Sequence, residues 1–450
     1  MPARTRLRMA NVAALALLPL ALGAGRATGQ PPATVEQLVE RGSGEFRQRR
    51  YFQAIESFRE ALELAGGETA EQVKRNLASA YGALGAEHFN AGESRLAEET
   101  FRKGLEYADN YYSHFGLGYL YFLRMDGDRA LEHLETALEL RGDFAGTHKL
   151  LALLDYRKGL TRRAIDRLEE ARKLEPGDRE TRALLKRWRT EASFIDEFVE
   201  SSTAHFTLRS DPNVPAAHRH KLSSELERAY GELGKRLGVW PEDRIPVVLF
   251  TEKTFHEATG SYHWVGGMYD GQLKMPVPED YLSSAESVAR VREVILHEYA
   301  HALVRHVAPE CPVWLNEGIA QHLEGEIDRE KLHRLLWEGR TRRLAFSSLP
   351  SRLWAIDDVE LARWSYLQGL GFVEFLVERF HEFRLQLLVE ALAEEHSVSE
   401  AMRRTYGASL EALEEEWWRR VEEGAQGRAA TNVGPSPADP APLPAAGSGG

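Results

Sequence analysis

His297-Glu298-Tyr299-Ala300-His301 sets two imidazoles four residues apart, with a carboxylate beside the first. Glu317 follows sixteen residues after His301, inside Trp314-Leu315-Asn316-Glu317-Gly318. On a helix, positions i and i+4 share a face. The two imidazoles therefore stand side by side, as two nitrogen ligands for one tetrahedral zinc ion. Six residues of helix beyond His301 rise ~9 Å, and a second helix from Pro312 to Glu317 runs back ~7.5 Å at ~1.5 Å per residue. Pro309 and Pro312 allow the chain to reverse between them, which brings Glu317 level with the histidines as a third ligand. Three protein ligands leave one position for water, the pattern of a catalytic zinc site. Glu298 points off the two-histidine face toward that water, where a carboxylate serves as general base. The chemistry expected is hydrolysis.

The flanks support a helix. Ser283-x-x-Glu286 reads as a capping box. Val288, Val291, Ile295, Leu296, Leu303 and Val304 recur at roughly helical spacing, and the helix is expected to stop before Pro309. Gln321, one turn past Glu317, is either an outer partner of a ligand or a solvated helix residue. His306 and His322 lie off the metal-facing side and read as solvated or partly buried. Cys311, the single cysteine, reads as a small buried residue.

The pattern His297-Glu298-x-x-His301 with a downstream Trp-Leu-x-Glu-Gly resembles the gluzincin metallopeptidases, the broad group of thermolysin and the zinc aminopeptidases. It is most similar to the bacterial peptidase MA-like branch. The resemblance covers about Phe206 to Val421. It implies an α+β peptidase domain with a small mixed sheet, Zn2+ bound by His297, His301 and Glu317, and Glu298 as the base. It also implies an edge strand over the metal that pairs with the substrate backbone, and a tyrosine, here Tyr366, that donates to the oxyanion. A buried structural role is the alternative for Tyr366, as a plain edge strand is for the segment around Asp270. The thermolysin branch carries an Asp one turn after its glutamate ligand, where this chain has Gln321. The zinc aminopeptidases hold the substrate's amino end with an edge-strand glutamate, where this chain has only Asp270. An endopeptidase is therefore favoured weakly.

Other elements must position these groups. His205 to Arg209 alternates like a strand, Ala216 to Leu237 reads as an amphipathic helix, and Ile245 to Phe250 reads as a buried strand. Gly267 to Pro276 reads as a hairpin or edge strand turning at Asp270-Gly271. Upstream, a small-bulky-small marker recurs as Ala54-Phe58-Ala61, Ala97-Phe101-Gly104, Ala130-Leu134-Ala137 and Ala164-Leu168-Ala171. The first markers are spaced 43, 33 and 34 residues apart. A small residue precedes each unit at Gly42, Gly85, Gly118 and Ala152. This resembles the tetratricopeptide (TPR) repeat, a helix-turn-helix of about 34 residues. Nine extra residues before the second repeat imply a longer linker or helix. Arg179 to Thr190 reads as a capping helix with a polar outer face.

The expected fold is mainly α: an all-α TPR superhelix followed by the α+β peptidase domain. The divisions are 1–29 signal peptide, 30–192 repeats, 193–423 zinc peptidase-like domain and 424–450 a Pro/Ala/Gly tail. Arg4, Arg6 and Arg8 precede a short apolar run, and small residues follow at Ala27-Thr28-Gly29, which implies an exported, periplasmic or secreted protein; an uncleaved N-terminal anchor is the alternative. Beyond that segment no transmembrane domain is expected. A net charge of −12 and no basic face argue against a nucleic-acid partner. The repeats are expected to recruit a peptide or protein substrate, or a partner protein, without doing chemistry. On that view they are dispensable for cleavage of small peptides. Two rivals stand beside the peptidase: a cell-envelope TPR scaffold whose zinc domain is catalytically idle, and a zinc hydrolase of non-peptide amides.

Overall fold

The computed structural model describes residues 33–260, 266–349, 359–394 and 397–431. The segment read as a signal peptide lies outside the described residues. The chain forms two compact units, Met1–Glu310 and Cys311–Gly450, and it is mainly α-helical.

The first unit opens with four antiparallel helix pairs: α1 (Val35–Arg47) with α2 (Tyr51–Leu64), α3 (Gly67–Asn90) with α4 (Ser94–Leu105), α5 (Tyr111–Leu123) with α6 (Gly127–Leu140), and α7 (Ala145–Arg157) with α8 (Thr161–Leu174). These are tetratricopeptide-type pairs, and the marker residues explain the pairing. Phe58, Phe101, Leu134 and Leu168 are fully buried, each on the second helix of its pair. The small residue on the first helix makes room for it. A Cβ added to Gly42 would lie 2.8 Å from the Phe58 ring, one on Gly85 2.6 Å from Phe101, and one on Gly118 2.7 Å from Leu134 Cγ. Glycine on one helix and a bulky residue on the next thus fix a close crossing in the first three repeats; in the fourth, Ala152 is buried in one cluster with Leu168. The nine extra residues of the second unit are helix, absorbed into the 24-residue α3. Because Phe101 fills the space left by Gly85, Phe101→Ala removes a large buried ring from a site that cannot collapse. It is expected to cost ~3–5 kcal/mol, read as a lowered urea midpoint of the repeat region.

Helix α9 (Arg179–Ile195) follows the repeats. Its Trp188 stacks on Tyr156 of α7 at 4.2 Å between ring centroids. The side of α9 expected to face solvent packs instead on what comes next, since Glu191 is buried against the sheet.

That sheet has five strands: β1 (Val199–Ser202), β2 (Phe206–Ser210), β3 (Ile245–Thr251), β4 (Met268–Tyr269) and β5 (Leu273–Val277), with α10 (Ala216–Leu237) and α11 (Glu252–Thr259) between them. The order is β1-β2-β3-β5-β4. β1/β2 and β4/β5 pair antiparallel, while β2/β3 and β3/β5 pair parallel. Val247 to Phe250 are buried without interruption, as expected for a strand flanked in parallel on both sides. β4 forms one edge, joined to β5 by the turn Asp270–Gln272, where Gly271 takes the left-handed φ of +112°. β1 is exposed along its whole length. It carries no hydrophobic alternation, which is why the sequence does not announce it.

Helix α12 (Ala285–Val307) crosses this sheet and ends, as expected, before Pro309. Its cap is one residue later than the capping-box reading: the Ser284 hydroxyl accepts from the Ser287 amide at 3.0 Å. Tyr299 anchors the helix, packing edge-on to Phe206 of β2 at 5.6 Å and stacking on Tyr230 of α10. Burial pushes the Tyr299 hydroxyl far above its ordinary pKa. Arg292 ties α12 to α10 through Glu225 at 3.2 Å and through Glu232.

The second unit holds α13 (Val313–Glu324), α14 (Arg329–Gly339), α15 (Val359–Phe380), α16 (Phe383–Glu394), α17 (Val398–Tyr406) and α18 (Leu410–Thr431). α18 continues helical past Gly424, into the stretch read as a tail, and residues 432–450 lie outside the described ones. α13 and α15 touch backbone to backbone. A Cβ on Gly318 would lie 2.5 Å from the Gly369 carbonyl oxygen, and one on Gly369 2.5 Å from that of Trp314. Trp314 stacks on Phe346 at 3.9 Å, and Phe372 and Trp417 complete an aromatic core. No described helix is long and apolar enough to cross a membrane.

Candidate metal centre

The 3.6-residue period brings His297 and His301 onto one side of α12. Their Nε2 atoms converge to 3.1 Å, with ring planes at 87°. His301 is buried and His297 half-buried. Two nitrogens on one tetrahedral zinc, each at ~2.0–2.1 Å, stand ~3.3 Å apart. The pair therefore has the spacing that a shared metal requires. Tyr299, between them in sequence, points to the opposite side and into the core, so one helix both anchors itself and presents the two imidazoles.

Glu298 is also buried, although it is ionisable. Its surroundings come from the sheet. Gly267, just ahead of β4, sits so close that a Cβ there would lie 2.8 Å from Glu298 Cγ and 3.1 Å from its Oε1. Val294, one turn before Glu298, crowds the same point at 3.0 Å. Only glycine fits at 267 without moving the carboxylate. Arg305, one turn beyond His301, donates to the Tyr269 carbonyl at 3.0 Å. The edge strand is thus fastened to the ligand helix on both sides of the histidine pair. Neither Gly267 nor Arg305 is legible as a site residue in the sequence, since contact between strand and helix decides their roles.

Glu317 is on the second turn of α13, half-buried, with buried Asn316 before it and the tightly packed Gly318 after it. Trp314 and Gly318 lock α13 against α15, so the WLNEG stretch is a packing device that carries Glu317 between buried Asn316 and Gly318. His297, His301 and Glu317 each offer one ligand atom, and these atoms all lie within 4.8 Å of one another, the one such group among the described residues.

The remaining sequence candidates have these surroundings. Gln321 Oε1 is buried and has no hydrogen-bond partner among the described residues. His322 is buried in the second unit, with Nδ1 on Glu374. Burial alone would raise Glu374, but His322 and Arg329 hold its carboxyl below the usual range. Tyr366 is half-buried on α15, and two residues on, Gln368 bonds both the amide and the carbonyl of Leu344. Cys311 is half-buried. Asp270, the acidic residue of the edge segment, is committed to Lys274 and Arg187 at 3.1 and 3.2 Å.

Residues 276–423 match the family model of the Peptidase MA superfamily. That stretch includes both histidines, Glu298, Glu317 and Tyr366. No curated protein matches the chain. Among solved structures, the TPR domain of P58(IPK) is similar over 87% of this chain and 80% of that one, at 13% identity and a TM-score of 0.29. A likeness that loose carries no argument, and the repeats are defined by the helix pairs themselves.

Proposed function

We propose that the chain is an exported zinc-dependent peptidase that hydrolyses internal peptide bonds, with Glu298 as general base. The observation that carries this reading is the pair of Nε2 atoms 3.1 Å apart on α12 beside a buried carboxylate. His297, His301 and Glu317 would hold the ion. Zinc supplies a Lewis acid that acidifies water and polarises a carbonyl. Glu298 accepts the proton of the attacking water and returns it to the leaving amine. Its burial against Gly267 and Val294 keeps bulk water from competing for that proton. β4, as the outer strand next to Glu298, supports backbone pairing with an extended peptide. Asp270, held by two cations, is not placed to hold a substrate's free amine, which supports an endopeptidase. The repeats are read as the surface that recruits a protein substrate or partner. Export rests on the basic and apolar N-terminal segment.

Tyr366 is proposed as the donor to the oxyanion. Tyr366→Phe removes only the hydroxyl, and the loss of one such donor costs ~10²–10³ in kcat. An unchanged kcat would return Tyr366 to a packing role.

The direct test of the whole reading is metal analysis of the purified protein together with cleavage of an unbiased peptide library. About one zinc per chain is expected. Activity should vanish on chelation and return with zinc. Full zinc with no peptide cleaved would favour the idle-domain scaffold, and cleavage that survives complete metal removal would exclude the mechanism.

A further inference from the structure

Some of the most heavily buried charges among the described residues of the first unit lie away from the metal centre. Lys274 on β5 and Glu191 on α9 are each only 1% exposed. The Lys274 ammonium donates to Glu191 Oε2 at 2.6 Å, to Asp270 Oδ2 at 3.1 Å and to the Tyr156 hydroxyl. The Tyr156 hydroxyl, on α7 of the last repeat, lies within hydrogen-bond distance of the same two carboxylates, at 2.7 and 3.1 Å, and its single proton serves one of them at a time. Arg187 of α9 adds a second cation at 3.2 Å from Asp270. Two cations therefore face two carboxylates. Burial alone would raise Asp270, and Lys274 and Arg187 overcome it, holding its carboxyl at about 2.

A buried ionic cluster is a poor way to gain stability, because well-packed apolar side chains serve as well or better. What it provides is register: each charge must meet its partners, so the elements carrying them have one relative position. Here those elements are α7 and α9 of the repeat array and the β4–β5 hairpin. The hairpin turn is seated by further bonds. Gln272 Nε2 donates to the Tyr156 carbonyl at 2.9 Å, and a Cβ on Gly271 would lie 3.0 Å from Arg157 Cγ. Three residues before Asp270 is Gly267, against Glu298. Three residues span at most ~10 Å even when fully extended. One short segment thus touches the repeat array at one end and the buried carboxylate at the other.

We propose that the repeat array is a working part of the hydrolytic site, in which Lys274 and Glu191 are positioning residues that clamp the β4–β5 hairpin and thereby hold Gly267 against Glu298. This rests on the reading of Glu298 as the base. It replaces the expectation of a detachable recruiting module, because removing the repeats strips Lys274 and Asp270 of Glu191, Tyr156 and Arg187 at once.

The test uses full-length, zinc-loaded protein and two readouts. The first is hydrogen exchange. Glu191→Gln keeps the size of the side chain and removes its charge, and Lys274→Met removes the central cation. Each is expected to speed exchange of the backbone amides of 266–273 by at least ~10-fold, with α13 and α15 unchanged. The second is hydrolysis of a peptide of about six residues, too short to use the repeats for recruitment. The variants should keep zinc and KM but lose at least ~10-fold in kcat, the scale on which small misplacements act. Lys274→Arg should recover most of it. If Lys274→Met fails to fold, Glu191→Gln alone decides. Unchanged hairpin exchange in Glu191→Gln overturns the clamp, whether or not the protein hydrolyses anything. Faster hairpin exchange with unchanged kcat overturns its part in catalysis. Wild-type protein that holds zinc and a slowly exchanging hairpin but cleaves no peptide removes the peptidase reading on which the proposal rests.

Discussion

Glu298→Gln will hold zinc and melt at a near-normal temperature, yet hydrolyse peptides at least ~100-fold more slowly, the low end for a lost general base. The argument is geometric. The two imidazole nitrogens converge on each other from the next turn of the helix, so the metal does not need the Glu298 carboxylate. The substitution keeps the side chain's volume in a place where Gly267 and Val294 leave no slack. It removes only the ability to accept a proton. The affected quantity is kcat, with KM little changed, because a group that acts when water attacks contributes to the transition state and not to the ground state. The variant should therefore trap its substrate, which pull-down from a cell extract would reveal. A Glu298→Gln protein with wild-type kcat would sink the mechanism. A second substitution separates shape from charge. Gly267→Ala adds one methyl that must displace Glu298 or Val294, so it should lower activity while leaving the carboxylate chemically intact.

The sequence states the candidate site of this protein more clearly than its connections. The HExxH spacing, the helix that carries it and the Pro-interrupted approach to α13 follow from helical periodicity and proline sterics, which act within a few residues. The repeat markers are legible for the same reason, and the structure turns three of the four into glycine contacts: Gly42 over Phe58, Gly85 over Phe101, Gly118 over Leu134. The cap of α12 is misread by one residue because Ser283 and Ser284 are both competent, and only the backbone conformation selects Ser284. β1 is invisible because an exposed edge strand needs no apolar alternation. The clamp is hidden for a deeper reason. Glu191 and Lys274 are 83 residues apart, and nothing local to Glu191 distinguishes it from a charge that will be solvated. One signal was present: Lys274 interrupts an otherwise apolar strand, Leu273-Lys274-Met275-Pro276-Val277. A lysine there must find a partner on folding, since an unpaired buried ammonium is too costly to keep. Likewise the commitment of Asp270 to that lysine, rather than to a ligand, cannot be read from its place in an Asp-Gly turn.

Glu317→Ala will cost the protein its metal without unfolding the repeats. Removing even an outer partner of a metal ligand weakens binding ~10–100-fold, and loss of a ligand itself should exceed that. The effect should appear as substoichiometric zinc after dialysis, as faster zinc transfer to a chromogenic chelator, and as activity that recovers only at high added zinc. Fold loss is not expected. Glu317 is half-buried, and the packing of α13 on α15 is carried by Trp314, Leu315, Gly318 and Ile319. His301→Ala should lose zinc in the same assays, by a route wholly within α12. The comparison between the two variants is informative because their neighbours differ. Glu317→Gln keeps an oxygen donor of the same reach but no charge, and should retain zinc better than Glu317→Ala and worse than wild type. That ordering identifies a carboxylate ligand. Equal zinc content in wild type, Glu317→Gln and Glu317→Ala would mean that the third ligand is another residue, while zinc loss on His301→Ala alone would reduce the protein's own share of the site to the helix pair.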